Sequence, residues 1–145
     1  MDIVTEIASH LVGRHLIEVE RRDFDWVFTF PNAGLVAECP WRILCEGRIA
    51  HTNTDHAQKF GLPEPIDGEA ESNRLLQNKT VESVTIREDT GDLTITFAGP
   101  TALEILNMSS GYEGWQFNAS NLLVVAAGGG RLSIYRDGSP RPIKE

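Results

Sequence analysis

Lys79-Thr80-Val81-Glu82-Ser83-Val84-Thr85-Ile86-Arg87, then Glu88-Asp89-Thr90-Gly91-Asp92, then Leu93-Thr94-Ile95-Thr96-Phe97 is the stretch that decides the fold. Leu93, Ile95 and Phe97 fall on one side of an extended chain, and Thr94 and Thr96 on the other, which is the period of a half-buried strand. Asp89-Thr90-Gly91-Asp92 carries hairpin-turn chemistry. The two flanking segments are therefore predicted to pair antiparallel.

Working outward, the same pattern occurs earlier. Arg14 to Arg22 and Trp26 to Phe30 flank the turn Arg22-Asp23-Phe24-Asp25, with Trp26, Phe28 and Phe30 alternating against Val27 and Thr29. Third strands are predicted at Leu35 to Glu38 and at Ala102 to Leu106, and a fourth from Trp41 to Ile49. Leu122 to Ala127 and Arg131 to Tyr135 read as a hairpin around Gly128-Gly129-Gly130. A helix precedes each set. Asp2 caps Ile3, Ile7 and Leu11, which share one helical face, and Gly13 stops that helix. Asp67 caps residues 68–76, and Asn78 takes the stop position. Tight connections favour antiparallel pairing. The fold class is α+β, with mostly antiparallel strands in one strongly curved sheet or two packed sheets, and two or three short helices.

The two sets suggest an internal duplication. Leu11, Leu16 and Val19 match Leu76, Val81 and Val84 at an offset of 65. After a two-residue shift, Phe28, Thr29 and Phe30 match Ile95, Thr96 and Phe97, and Val36 matches Leu103. Trp41-Arg42-Ile43 parallels Trp115-Gln116-Phe117. Two β-meanders of similar patterning would also look alike by chance. The expectation is a single domain over 1–145, with repeat halves 1–50 and 67–136 and a connector at 51–66. Within the connector, Thr52 to Asp55 is predicted to cap a helix running to Phe60, with Gly61 as its stop. Leu62-Pro63-Glu64-Pro65 reads as extended linker, and Gly138 to Glu145 as a frayed tail.

Length and charge bound the function. At 145 residues the chain buries roughly 70% of its unfolded surface. Its net charge is −8, shared equally between the parts before and after residue 65. An evenly acidic surface argues against nucleic acid and against anionic membranes, both of which need a concentrated basic patch. It suits a basic protein partner. Met1 to Glu6 has no basic, apolar or cleavage pattern of a leader. No apolar run reaches spanning length. A cytoplasmic, bacterial protein is the expectation. Cys39 and Cys45 do not form a Cys-x-x-Cys pair and read as buried thiols, with a disulfide or a metal role as the alternatives.

Three segments could carry chemistry. Gly128-Gly129-Gly130 has no Lys-Ser or Lys-Thr after it and no helix, so it reads as a hairpin loop rather than a phosphate cradle. His51, Asp55 and His56 place two imidazoles and a carboxylate close together, as zinc, manganese or iron sites do. A third ligand must come from elsewhere, and Asp55 suits a helix start without any metal. No metal and no cofactor are predicted. Asn107-Met108-Ser109-Ser110-Gly111-Tyr112-Glu113-Gly114-Trp115 is the most distinctive segment. Tyr112 and Trp115 each combine an apolar body with a polar tip. Glu113 would serve as a general base if burial raised its pKa. Ser109 or Ser110 would need a histidine beside it to act as a nucleophile. Structurally, the same residues read as a core Trp115, a bracing Tyr112 and a Glu113 bonded to loop amides.

Leu76, Val81, Val84, Asp92-Leu93, Ile95, Phe97, Leu103-Glu104-Ile105 and Tyr112-Glu113-x-Trp115 together resemble a loosely defined group of small bacterial proteins of unknown function, marked by Tyr-Glu-x-Trp after a β-meander. The resemblance covers about forty residues, and its distinctive positions are Tyr112, Glu113 and Trp115. In size and acidity the group is similar to some immunity proteins that neutralise toxins. It implies no catalytic residues. Three readings follow. The first is a non-catalytic protein-interaction module, immunity-like or regulatory. The second is a small-ligand binder or enzyme with a pocket at Tyr112, Glu113 and Trp115, drawing on His51, Asp55 or His56. The third is a homo-oligomer, such as a homodimer, whose chief role is assembly, with exposed edge strands available for pairing.

Overall fold

The computed structural model describes residues 2–136. The predicted tail, Gly138 to Glu145, lies outside them. Helix α1 (Ile3–Leu11) and helix α2 (Gly68–Leu76) form where their caps dictate. The Asp2 carboxylate accepts the Thr5 N–H at 2.8 Å, and that of Asp67 accepts the Ala70 N–H at 3.1 Å, each satisfying a donor that the first turn leaves orphaned. Gly13 (φ 84°) and Asn78 (φ 67°) then turn the chain out of each helix in the left-handed region.

Eleven strands follow these helices among the described residues. They are β1 (Glu18–Arg21), β2 (Trp26–Phe30), β3 (Ala33–Ala37), β4 (Trp41–Cys45) and β5 (Arg48–Thr52) before α2. After it come β6 (Val81–Ile86), β7 (Leu93–Phe97), β8 (Thr101–Ile105), β9 (Trp115–Ala119), β10 (Leu122–Ala126) and β11 (Leu132–Tyr135). They build two antiparallel sheets, ordered β1-β2-β3-β9-β10-β11 and β5-β4-β8-β7-β6. The alternative of one strongly curved sheet is corrected: neither sheet closes, because the chain leaves each meander after three strands and crosses to the other sheet. Residues 38–40 make the first crossing and residues 106–114 the second.

The alternating patterns point Phe28, Phe30, Leu35, Ile43, Ile95, Phe97, Leu103 and Phe117 into one shared core. Trp41 joins the sheets there, with Trp26 and Phe28 edge-on to it at 5.0 and 5.4 Å. A side chain of this size contributes about 1.5–3 kcal/mol by burial, before any gain from aromatic geometry.

The segments after the two helices meet reciprocally. The Gly13 N–H donates to Val81 O and the Asn78 N–H to Leu16 O, while Leu16 N–H donates to Lys79 O and Val81 N–H to Arg14 O. His15 and Thr80 form the bridge between them. Leu35, rather than Val36, is the residue of β3 that faces the core as Leu103 does in β8. Leu35 stands opposite Phe28 and Phe117, and Leu103 opposite Ile95 and Ile43.

Two further expectations are corrected. Trp41 to Ile49 is not one strand, because Glu46 and Gly47 (φ 53° and 76°) make the left-handed pair of a tight hairpin turn. The connector helix to Phe60 is one short turn, Asn53–Asp55. Ala57 (φ 69°) leaves the helical region, and its N–H donates to Ile66 O while the Ile66 N–H donates to Gln58 O.

The sheet edges are blunted in different ways. Asn73 of α2 bonds both the N–H and the C=O of Val19, and Glu69 accepts the Arg21 N–H, so side chains occupy the β1 edge. The β5 and β6 ladders are each broken by a register shift. Bulges of this kind disfavour addition of a further strand.

Candidate interaction site

The Tyr-Glu-x-Trp loop occupies the second crossing, and its residues separate into two roles. Trp115 opens β9 and is wholly buried. Its indole N–H donates to Gly91 O at 2.9 Å, so ring and polar tip are both committed to the interior. Tyr112 is 84% exposed and Met108 72%.

This exposure is built on a fixed loop. Ser109 Oγ accepts the N–H groups of Gly111 and Tyr112 at 3.1 and 2.9 Å, so it is occupied in shaping the turn. The Gly129 N–H donates to Ser109 O, and the Gly114 N–H to Ala126 O. Asn107 reaches back to the β6–β7 turn, its Nδ2 donating to Thr90 O at 2.9 Å and its N–H to Asp92 Oδ1 at 2.9 Å. Glycine makes the approach possible: a Cβ on Gly128 would lie 2.6 Å from the backbone of Gly111. A loop held this way presents Tyr112 at low entropic cost on binding.

Tyr112 and Glu113 line an open cleft of about 280 Å³ with Glu38, Pro40 and Met108. The Glu113 carboxylate also accepts from Gln116 Nε2 at 3.4 Å. A second cleft of about 280 Å³ adjoins it. Phe24, Trp26, Asn53 and His56 line this one, and both clefts share Glu38 and Cys39. Phe24 stands 91% exposed on the β1–β2 turn. The first crossing, 38–40, thus divides a face with exposed apolar side chains on either side.

The three residues of the His51 segment do not converge on a ligand. Asp55 accepts the Thr52 N–H at 3.0 Å in a capping box. His56 Nδ1 accepts the Gly68 N–H at 2.9 Å, which ties the connector to α2. His51 is 1% exposed, beneath Trp41 at 5.8 Å between ring centroids, and its Nδ1 lies 3.7 Å from Asp55 Oδ2. Burial pushes its pKa below the ordinary histidine value, against the opposing pull of Asp55 and Glu71. His51 Nε2 and Trp41 Nε1 are buried without hydrogen-bond partners among the described residues. No group of three His, Cys, Asp or Glu side chains among those residues is placed to hold a metal ion.

Cys39 and Cys45 are both free thiols. Burial above all, with the nearby Asp92 and Glu38 charges, pushes Cys39 up to about 12, so it stays protonated and unreactive at neutral pH. No helix among the described residues is long and apolar enough to cross a membrane.

Phe24 and Glu38 were not among the candidates read from the sequence. Only the exposure of an aromatic at Phe24, inside an otherwise charged turn, left a local signal. Comparison of the chain with protein-family models, and with curated proteins, finds no match.

Proposed function

We propose that this chain is a non-catalytic protein-interaction module, of an immunity-like or regulatory kind, whose docking face is the pair of clefts on either side of residues 38–40. The carrying observation is Tyr112: a large aromatic, 84% exposed, on a loop fixed by glycine contacts and by Ser109. Exposed, preorganised aromatics are what interface anchors require.

The ligand-binding or enzyme alternative is weaker on physical grounds. Each cleft, at about 280 Å³, sits at the lower edge of the size range of small-molecule sites, and both are open. Ser109 Oγ, one of the two serine candidates, accepts two amides, and the Cys39 thiol stays protonated. A second copy of the chain remains a candidate occupant of the face, as would suit a homodimer. The test is isolation of the protein from its own bacterial cytoplasm, wild type beside Tyr112→Ala, followed by native mass spectrometry. A complex that depends on Tyr112 supports the reading, and a bound small molecule would replace it with the alternative.

We also propose that the halves descend from one duplicated helix-plus-meander unit. Support comes from α1 and α2 standing 65 positions apart and from the reciprocal bonds between residues 13–16 and 78–81. A consensus of homologous chains whose halves fail to align at that offset would contradict this.

A further inference from the structure

We propose that the outer edge of β11 pairs with the same edge of a second copy of this chain, antiparallel across a two-fold axis at Ser133. This surface is separate from the docking face. Side chains or register shifts blunt the β1, β5 and β6 edges, whereas β11 pairs with β10 over four residues without a shift. Two bonds show which backbone groups stay open. The Ala127 N–H donates to Arg131 O on the β11 side of β10, and Ala126 O accepts the Gly114 N–H on the other side. The N–H and C=O of successive strand residues point to alternate sides. Leu123 and Val125 therefore bond toward β11 with Ala127, where Tyr135 and Ser133 stand opposite them. Leu132 and Ile134 are left with N–H and C=O directed outward. No hydrogen bond among the described residues takes up these four groups.

A second copy of this edge satisfies all of them. Centred on Ser133, antiparallel pairing sets Leu132 of each copy opposite Ile134 of the other, and each pair exchanges two hydrogen bonds. The side chains match too. Leu132 and Ile134 share the core side of the sheet with Ala126 and Val124, which are buried. Leu132 is only partly buried and Ile134 is 37% exposed, so pairing covers both and extends the core across the axis. On the other side, Arg131 falls opposite Tyr135, a cation beside an aromatic ring, and the small Ser133 sits on the axis. Like charges are not opposed, because residues 132–135 carry none and Arg136 is held by Glu6 at 2.6 Å. An edge that matches itself in donors, apolar contacts and charge fits a second copy in an isologous dimer.

The test uses the full chain. Sedimentation equilibrium should show a monomer–dimer equilibrium. Amide exchange at Leu132 and Ile134, followed by NMR, should slow as concentration raises the dimer fraction. This measurement needs no variant, so a folding defect cannot mask the answer. Ile134→Lys should weaken the dimer about 10-fold, because the axis places the charge at two cross-strand contacts. In Ser133→Cys, mild oxidation should join position 133 of the two copies. A directly opposed, non-hydrogen-bonded pair has its Cα atoms about 4.5 Å apart, which is within disulfide reach. A peptide map separates that link from any at Cys39 or Cys45. A chain that stays monomeric to about 1 mM, an Ile134→Lys dimer of unchanged strength, or no link at position 133 would each overturn the proposal. So would exchange at Leu132 and Ile134 that is independent of concentration, the result expected if residues 137–145 of the same chain took the edge. A dimer lost in Tyr112→Ala but kept in Ile134→Lys would place the copies at the docking face, and edge pairing would fall while the interaction reading stood.

Discussion

Trp41 and Trp115 open the strands that follow the two crossings, and both are buried, yet only one has its indole nitrogen satisfied. Trp115 Nε1 donates to Gly91 O, at the turn between β6 and β7. Trp41 Nε1 has no partner among the described residues. The β1–β2 turn, closed by the Arg22 N–H to Asp25 O bond, is two residues shorter than the β6–β7 turn, closed from Arg87 to Asp92. Reach of the turn thus accompanies the difference between the two tryptophans.

That difference predicts unequal costs. Trp115→Phe strands Gly91 O as well as shrinking the side chain, whereas Trp41→Phe also removes an orphaned buried donor. Trp115→Phe should therefore cost about 1–3 kcal/mol more than Trp41→Phe in urea unfolding. Trp115→Ala should cost about 3–5 kcal/mol. Equal costs for the two phenylalanine variants would show that the Gly91 bond contributes nothing net.

His51 predicts a pH dependence. Its folded pKa is depressed by burial, so the folded chain holds it neutral while the unfolded chain protonates it below its ordinary value of about 6.5. The unfolded state then binds more protons, and stability falls as pH drops from there toward the folded pKa, by at most about 1.4 kcal/mol per pH unit. His51→Val should remove this component, since valine carries no titratable group. Denaturation at pH 7 and pH 5 checks it. A difference between wild type and variant that stays constant over that range would contradict the buried neutral state.

Two adjacent glycines should behave oppositely. Gly128→Ala drives a methyl into the Gly111 backbone and should cost about 1–3 kcal/mol while shifting the Tyr112 loop. Gly111→Ala meets nothing within 4 Å and should stay within about 0.5 kcal/mol of wild type. Thermal melts with the Tyr112 ring resonances as reporter would separate them. Comparable costs would mean that the loop is not held by this approach.

Local signals made much of the fold legible. Both helices follow from Asp2 and Asp67 as caps and from Gly13 and Asn78 as stops, all within a turn of the residues they govern. Strands β2 and β7 follow from strict alternation. What failed depended on distant partners or on a turn passed over. Glu46-Gly47 carried a hairpin signal inside an apolar run read as one strand. The connector helix yielded to bonds between Ala57, Gln58 and Ile66. At the site, Tyr112 and Glu113 were visible as an unusual loop. Glu38 and Phe24 join that face only because the first crossing and the β1–β2 turn converge on this loop in space, which no spacing along the chain encodes.

The most direct measurement is native mass spectrometry of wild type and Tyr112→Ala isolated side by side from their own cells. Tyr112→Ala should melt within about 0.5 kcal/mol of wild type, because the side chain is 84% exposed. The account predicts a complex with a basic chain in the wild type, reduced at least about 10-fold in the variant, as the loss of an interface anchor requires. A complex of equal abundance in both, or a bare chain in both, would contradict it.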